Sequence, residues 1–126
     1  MHEMALCEGV LAVALEAAGD RPIAGVTVRV GQLQRVLPES WEMCWRMATM
    51  DSLAQDSQAK LKETPARIHC ESCGAEGSPR PPLDCASCGS HSVRVIAGDD
   101  IQLEEIELVG GELLANPHLA AAREES

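Results

Sequence analysis

The sequence predicts a small α+β fold, in which a mixed β-sheet carries two α-helices and a cysteine-rich lobe is looped out of this body. Three observations lead to this fold class. Two segments in the first half have apolar residues at helical spacing, and several others alternate with the period of a strand. Residues 70–88 instead combine Gly, Pro and Ser with four cysteines. The 126 residues have about the length of one domain.

The first helix is predicted over residues 4–20, with Gly19 as its end. Its expected buried stripe consists of Leu6, Val10, Val13 and Ala17. Residues 23–33 then change to period two, which predicts a strand. The expected buried face of that strand consists of Val26, Val28 and Val30.

The second helix is predicted over residues 38–52, with Pro38 near its first turn. Its expected stripe consists of Trp41, Cys44, Trp45 and Ala48. The chain has two Trp and no Phe or Tyr, so Met side chains are expected to fill the core. The candidates are Met43, Met47 and Met50. Further strands are predicted at 59–63, 66–69, 92–98 and 99–114.

The charge of the chain excludes two classes of partner. The net charge is -10, which repels nucleic acid and anionic membranes. No run reaches the roughly 20 apolar residues that a membrane helix needs, and the N-terminus has no basic region typical of a signal peptide. We therefore expect a cytoplasmic location without nucleic-acid or membrane partners, where the six cysteines are metal ligands or thiols rather than disulfides.

The most specific motif is a pair of C-x-x-C-G knuckles in residues 70–89. The pattern predicts that Cys70, Cys73, Cys85 and Cys88 form a closed tetrahedral thiolate site, a zinc-ribbon-like four-cysteine lobe with structural Zn(II). A redox C-x-x-C, iron in the same cage and two disulfides remain alternatives. The cysteines on the two helices, Cys7 and Cys44, are expected to be buried thiols.

Two histidines flank the knuckles. His69 directly precedes Cys70, and His91 follows Cys88 by three residues. We expect exposed loop histidines, and a contribution to the metal site is the alternative.

The opening residues Met-His-Glu suggest a second metal site. The terminal amine, the His2 amide and the His2 imidazole can chelate one ion together, and the amide or carboxylate of Glu3 can complete the set. Planar nitrogen and oxygen ligands suit Ni(II) or Cu(II). Many chains begin with Met-His by chance, so this motif is weak when it stands alone.

The order of motifs over roughly residues 1–110 resembles the HypA/HybF family of nickel-insertion accessory proteins of [NiFe]-hydrogenase. The shared features are the opening M-H-E, a Val-rich strand, a helix begun by Pro, the double knuckle and a final acidic strand. The resemblance implies that His2 is the essential nickel ligand, that Glu3 helps hold the nickel, and that the four knuckle cysteines bind zinc. Many members have an acidic residue near the second helix; Leu37 stands in that place here, and Glu39 is the nearest acid.

The resemblance also implies the function: a nickel metallochaperone, not an enzyme, that carries Ni(II) as cargo for hydrogenase maturation. Its expected partners are an accessory nickel GTPase and a hydrogenase large-subunit precursor. The alternative is a zinc-ribbon adaptor that binds proteins and has no nickel role. The expected domains are a nickel-binding body, residues 1–68 completed by 97–115, a zinc lobe, residues 69–96, and a flexible tail, residues 116–126.

Overall fold

The computed structural model describes residues 2–115, so the predicted tail, residues 116–126, lies outside the described part. Within this range the helices are α1 (His2–Ala18) and α2 (Pro38–Ala48), with a short 3-10 helix at Gln32–Gln34. The strands are β1 (Ile23–Gly31), β2 (Gln58–Thr64), β3 (Arg67–Cys70), β4 (Glu76–Gly77), β5 (Val93–Ala97), β6 (Ile101–Leu108) and β7 (Leu113–Ala115). These elements confirm the α+β class.

The strands form two sheets. The order β2-β1-β6-β7 makes a four-stranded sheet, and β4-β3-β5 makes a three-stranded antiparallel sheet. On β1, Val26, Val28 and Val30 are buried while Thr27 and Arg29 are partly exposed, which confirms the predicted alternation. The period-two pattern was reliable here because successive side chains of a strand point to opposite faces.

The chain divides into two compact units. Among the described residues, the first contains 2–29, 36–62 and 101–115, and the second contains 30–35 and 63–100. The second unit extends beyond the predicted zinc lobe, residues 69–96, at both ends. The assignment of separate functions to these parts stays a prediction.

In the first unit, the two tryptophans connect α2 to the chain around β2. Their rings stack with centroids 6.2 Å apart. The Trp41 Nε1–H donates to the Ala59 carbonyl at 3.2 Å, and the Trp45 Nε1–H donates to the Ser57 hydroxyl at 3.0 Å. Each buried ring therefore has a partner for its polar atom, as buried Trp requires.

The buried face of α1 differs from the predicted stripe. The buried residues are Cys7, Val10, Leu11, Ala14 and Ala18, whereas Val13 is 49% exposed. Val10 is buried as predicted, whereas the other three predicted positions are each replaced in the buried face by the next residue along the chain. Apolar residues occur all round this Ala-rich helix, so periodicity alone did not specify which side packs against α2 and β6.

The expectation that methionines fill the core was wrong for three residues on and after α2. Met43, Met47 and Met50 are 62%, 47% and 61% exposed. The inner face of the helix is occupied by Trp41, Cys44 and Trp45, as predicted, whereas Met43 and Met47 lie on its exposed side and Met50 follows the end of the helix. Two large indole rings fill the space that was assigned to Met.

In the second unit, backbone segments from distant parts of the chain lie very close together. The Gly31 amide donates to the Asp100 carbonyl at 2.7 Å, and the Leu33 amide donates to the Gly98 carbonyl at 2.8 Å. A Cβ added at Gly31 would lie 2.3 Å from the Gly98 carbonyl atoms. These contacts explain why residues 30–35 belong to this unit.

The described residues include no helix that is long and apolar enough to span a membrane.

Candidate metal centres

The two knuckles have matching backbone geometry. Gly74 and Gly89 have φ of +79° and +78°, and their amides donate to the carbonyls of Cys70 and Cys85, both at 2.9 Å. Glycine adopts this left-handed conformation without the steric cost of a Cβ. Each knuckle therefore turns tightly enough to bring its two sulfurs together, as the C-x-x-C-G spacing predicts.

The four sulfurs converge on one point. All four Sγ atoms lie within 4.8 Å of one another. The Sγ atoms of Cys70 and Cys88 are 3.7 Å apart, and those of Cys73 and Cys85 are 3.6 Å apart. A tetrahedron with Zn–S bonds of about 2.3 Å has edges of about 3.8 Å, so this arrangement fits zinc. Iron in a tetrahedral sulfur site fits equally.

Backbone amides favour the thiolate form of two of these cysteines. The Cys88 and Ser87 amides point at Cys85 Sγ, at 3.5 and 3.4 Å, and lower the pKa of the Cys85 thiol to about 6. The Cys73 amide, 3.4 Å from Cys70 Sγ, likewise lowers the pKa of the Cys70 thiol. Thiolates are the species that bind metal, so these amides favour binding at Cys70 and Cys85, whereas the pKa values of the Cys73 and Cys88 thiols are raised.

Each histidine beside the knuckles has a carboxylate partner. His69 Nδ1 lies 2.8 Å from Glu76 Oε2, and His91 Nδ1 is hydrogen-bonded to Asp84 Oδ1. His91 is exposed as predicted, but His69 lies half-buried on β3 rather than in a loop. In both pairs the acid is seven residues from the histidine, a spacing that the sequence contained and that could have indicated the pairs.

At the other candidate centre, α1 begins at His2, and the His2 side chain is exposed. The first amides of an α-helix have no carbonyl partner within the helix. An exposed imidazole therefore lies beside backbone nitrogens that are available to another partner. Met1, which would supply the terminal amine, lies outside the described residues.

Glu3 is connected to the start of α2. The Leu37 amide donates to Glu3 Oε2 at 3.2 Å, across 34 residues of sequence. This hydrogen bond is the largest cause of a lowered pKa for the Glu3 carboxyl. Leu37 is the residue before the first turn of α2, where backbone amides are without helical partners. A backbone donor has no side-chain signature, so sequence reasoning could not identify this contact.

Other candidate residues have simpler surroundings. Cys7 and Cys44 are buried thiols, as predicted, and burial raises the pKa of Cys7 to about 12. Glu39 is exposed in the first turn of α2. Among the described residues, the group of metal-ligand side chains that comes together is the set of four knuckle cysteines.

Comparison with known proteins identifies the family. A family model described as "Hydrogenase/urease nickel incorporation, metallochaperone, hypA" matches residues 1–108. Hydrogenase maturation factor HypA of Geobacter metallireducens is 33% identical over 109 residues, covering 86% of this chain and 99% of that protein. Hydrogenase maturation factor HypA 2 of Bradyrhizobium diazoefficiens is 32% identical over 112 residues, with the same coverage.

Solved structures agree with this result at the level of the fold. The solution structure of the Ni metallochaperone HypA from Helicobacter pylori aligns with a TM-score of 0.62 at 19% identity, covering 86% of this chain and 97% of that one. Because the family model spans most of the chain and the relatives match over nearly their whole length, this protein belongs to the HypA family of nickel-incorporation metallochaperones.

Proposed function

We propose that this chain carries Ni(II) at its N-terminus and delivers it during [NiFe]-hydrogenase maturation, while Zn(II) in the four-cysteine site is structural. The family match supports nickel as the cargo. The observation that supports the N-terminus as the site is the exposed His2 at the first position of α1. The protein acts by binding and release and has no catalytic step of its own.

The ligands that we assign to nickel are mainly nitrogens. They are the terminal amine, the His2 amide and the His2 imidazole, with the Glu3 amide or carboxylate completing the set. Planar nitrogen ligation suits Ni(II). A chelate made of neighbouring residues can exchange its ion with a partner without the rearrangement of a buried cage.

Glu3 has a second part in this proposal. Its hydrogen bond with the Leu37 amide connects the first turn of α1 to the start of α2. The Glu3 carboxyl is ionised at neutral pH, and the Leu37 amide lowers its pKa further from the ordinary value. The negative charge beside His2 attracts the cation, and the hydrogen bond limits the positions that this turn can adopt.

For the four-cysteine site we propose Zn(II) as the resident ion, held by Cys70, Cys73, Cys85 and Cys88. Bound zinc would offset half of the charge of four thiolates and would join the two knuckles. Four protein ligands leave no open position, which is typical of a structural site.

The proposed partners are an accessory nickel GTPase and the hydrogenase large-subunit precursor, and we place this exchange in the cytoplasm. The family match and the relatives named as hydrogenase maturation factors support the proposal that the partners are proteins of this pathway.

The test is calorimetric titration of Ni(II) into wild-type protein and His2→Ala, with zinc content measured in both. We expect His2→Ala to abolish tight nickel binding and leave zinc unchanged, because the two sites share no ligand. A residue added before Met1 keeps the imidazole but displaces the free amine, and so should also weaken binding. Binding should weaken as the pH falls, because metal ligands must be deprotonated to bind.

The matched control is His91→Ala, which removes an exposed imidazole from the second unit. This variant should bind nickel like wild type. If His2→Ala binds nickel as tightly as wild type, the N-terminal site is wrong.

A further inference from the structure

An apolar surface on α2 has no role in either metal centre. Met43, Met47 and Met50 are exposed, and Leu53, in the turns after the helix, is 42% exposed. Residues four apart lie on the same side of a helix, so Met43 and Met47 are neighbours. Met50 and Leu53 follow in chain order. We call these four residues the methionine surface.

The methionine surface is not explained by packing among the described residues, 2–115. The buried side of α2 carries Trp41, Cys44 and Trp45, and their indole nitrogens already have partners. Single exposed apolar residues are common on protein surfaces. Four within eleven residues, on one helix and the turns that follow it, are more typical of an interaction site.

The charges around the methionine surface indicate the kind of partner. Glu39, Glu42, Asp51 and Asp56 are exposed along the same segment, and Arg46 is the exposed basic residue among them. Within the described residues, these four carboxylates have no cation at salt-bridge distance. Arg46 lies three residues after Met43 and so shares its side of the helix, but four exposed carboxylates against one arginine leave this segment with net negative charge.

We propose that the methionine surface binds an amphipathic helix of a partner protein, with aliphatic side chains along one face and Lys or Arg beside them. Such helices bind apolar surfaces through residues spaced three and four apart along one face, and Met43 and Met47 offer two apolar side chains on one side of α2. Methionine side chains are flexible and polarisable, so they adapt to different aliphatic partners. The carboxylates select a basic helix over an acidic one.

A second copy of this chain fits the surface less well. Each chain carries a net charge of -10, and self-association would bring the same carboxylates towards each other. The same carboxylates that would repel each other in a dimer would attract a basic segment of a partner. The helix that carries the surface also begins where the Leu37 amide holds Glu3, so a partner bound to α2 lies on the helix to which the N-terminal turn is tied.

The experiment uses full-length, zinc-loaded protein and a fluorescently labelled synthetic helical peptide with leucine on one face and lysine on the other. We expect saturable binding by fluorescence anisotropy. The triple variant Met43→Gln, Met47→Gln, Met50→Gln should weaken it about tenfold or more, since apolar anchors dominate such interfaces. The triple Met→Leu variant should bind like wild type, because it keeps the apolar area.

Two controls address specificity. Val13→Gln removes an apolar residue of similar exposure from α1 and should leave peptide binding unchanged. A peptide with glutamate in place of lysine should not bind, and Glu39→Gln with Glu42→Gln should reduce both affinity and salt dependence for the basic peptide.

The proposal is overturned if the basic peptide does not bind at up to about 1 mM, a very weak affinity, or if the Met→Gln variant binds it as well as wild type. It is also overturned if sedimentation shows a dimer that the Met→Gln substitutions dissociate, because the occupant would then be a second copy. Nickel titration of the same variant should match wild type, so failure here is separable from failure of the nickel site.

Discussion

The four-cysteine site and the N-terminal end of α1 offer a metal ion two opposite environments. In the four-cysteine site, sulfurs from two tight turns converge within 4.8 Å, and backbone amides direct hydrogen bonds at two of them. At the N-terminal end, the imidazole of His2 is exposed, and one hydrogen bond from Leu37 holds Glu3. The first environment suits an ion that stays, and the second suits an ion that is passed on.

The difference follows from the kind of ligand in each place. Side-chain thiolates on knuckles form a preorganised cage whose metal contributes directly to folding. Ligands from a helix terminus include backbone groups that have no partner within the helix. Binding there does not require distant segments of the chain to be held together. Under the proposed function, this difference in constraint would let one chain keep zinc and exchange nickel.

The largest expected effect comes from removing one sulfur of the cage. Cys85→Ala should reduce zinc from about one per chain to none, and residues 63–100 should lose their ordered structure. Structural zinc contributes on the order of 10–16 kcal/mol in small zinc domains. Metal analysis and two-dimensional NMR measure the two outcomes, with α1 and α2 expected to persist.

Cys7→Ala is the matched control, because Cys7 is also a buried thiol but lies in the first unit. It should keep its zinc. Full zinc content in Cys85→Ala would contradict the cage, and a red protein containing iron would identify the other tetrahedral thiolate metal.

The next effect concerns close packing in the second unit. Gly98 has φ of +87°, and an added Cβ would lie 2.5 Å from the Ala66 Cα. Gly98→Ala should therefore destabilise the protein by about 1–3 kcal/mol or more, the cost of a strained backbone plus displacement of the neighbouring segment. Urea unfolding measures the change.

Gly19→Ala separates the two causes, because Gly19 also has positive φ but nothing lies within 4 Å of its added Cβ. It should cost only the conformational strain. If the two variants lost equal amounts of unfolding free energy, the backbone around Gly98 and Ala66 would not be tightly packed.

A smaller effect should separate two roles of Glu3. In Glu3→Gln the amide oxygen can still accept the hydrogen bond from Leu37, but the charge is lost. Nickel affinity should fall more in Glu3→Ala than in Glu3→Gln if Glu3 mainly positions the turn. Calorimetry on the two variants provides the comparison, and equal losses would show that the carboxylate acts through its charge or as a ligand rather than through the hydrogen bond.

The smallest effect is a pH dependence of stability. The folded pKa of Glu3 is lowered from 4.5, so its ionised form contributes stability above pH 4.5, and this is lost as pH falls through the folded value. The difference in free energy of unfolding between wild type and Glu3→Gln should therefore become smaller as the pH is lowered through this range. Urea unfolding at several pH values tests this, and a constant difference would show that the Leu37 contact does not stabilise the carboxylate.

Several features of the fold could be predicted because they depend on neighbouring residues. The Val26, Val28 and Val30 face of β1 follows from alternation. The inner stripe of α2 follows from helical spacing and includes both tryptophans. The knuckle glycines have the positive φ that their motif predicts. In each case the pattern and its cause lie within a few residues of each other.

Other features could not be predicted because they depend on residues that are distant in sequence. The face of α1 that is buried depends on what packs against an evenly apolar helix. The exposure of Met43 and Met47 depends on how the tryptophans fill the core.

The sequence by itself determined the fold class, the set of four knuckle cysteines and the HypA family, since these rest on spacing, periodicity and the order of motifs. Tertiary structure alone decided that Glu3 is held by the Leu37 amide, that backbones meet at Gly31 and Gly98, and that a methionine surface faces outward. The physical reason is that hydrogen bonding to a backbone amide, close backbone approach and burial are properties of pairs of segments. No single segment carries a pattern that specifies its partner.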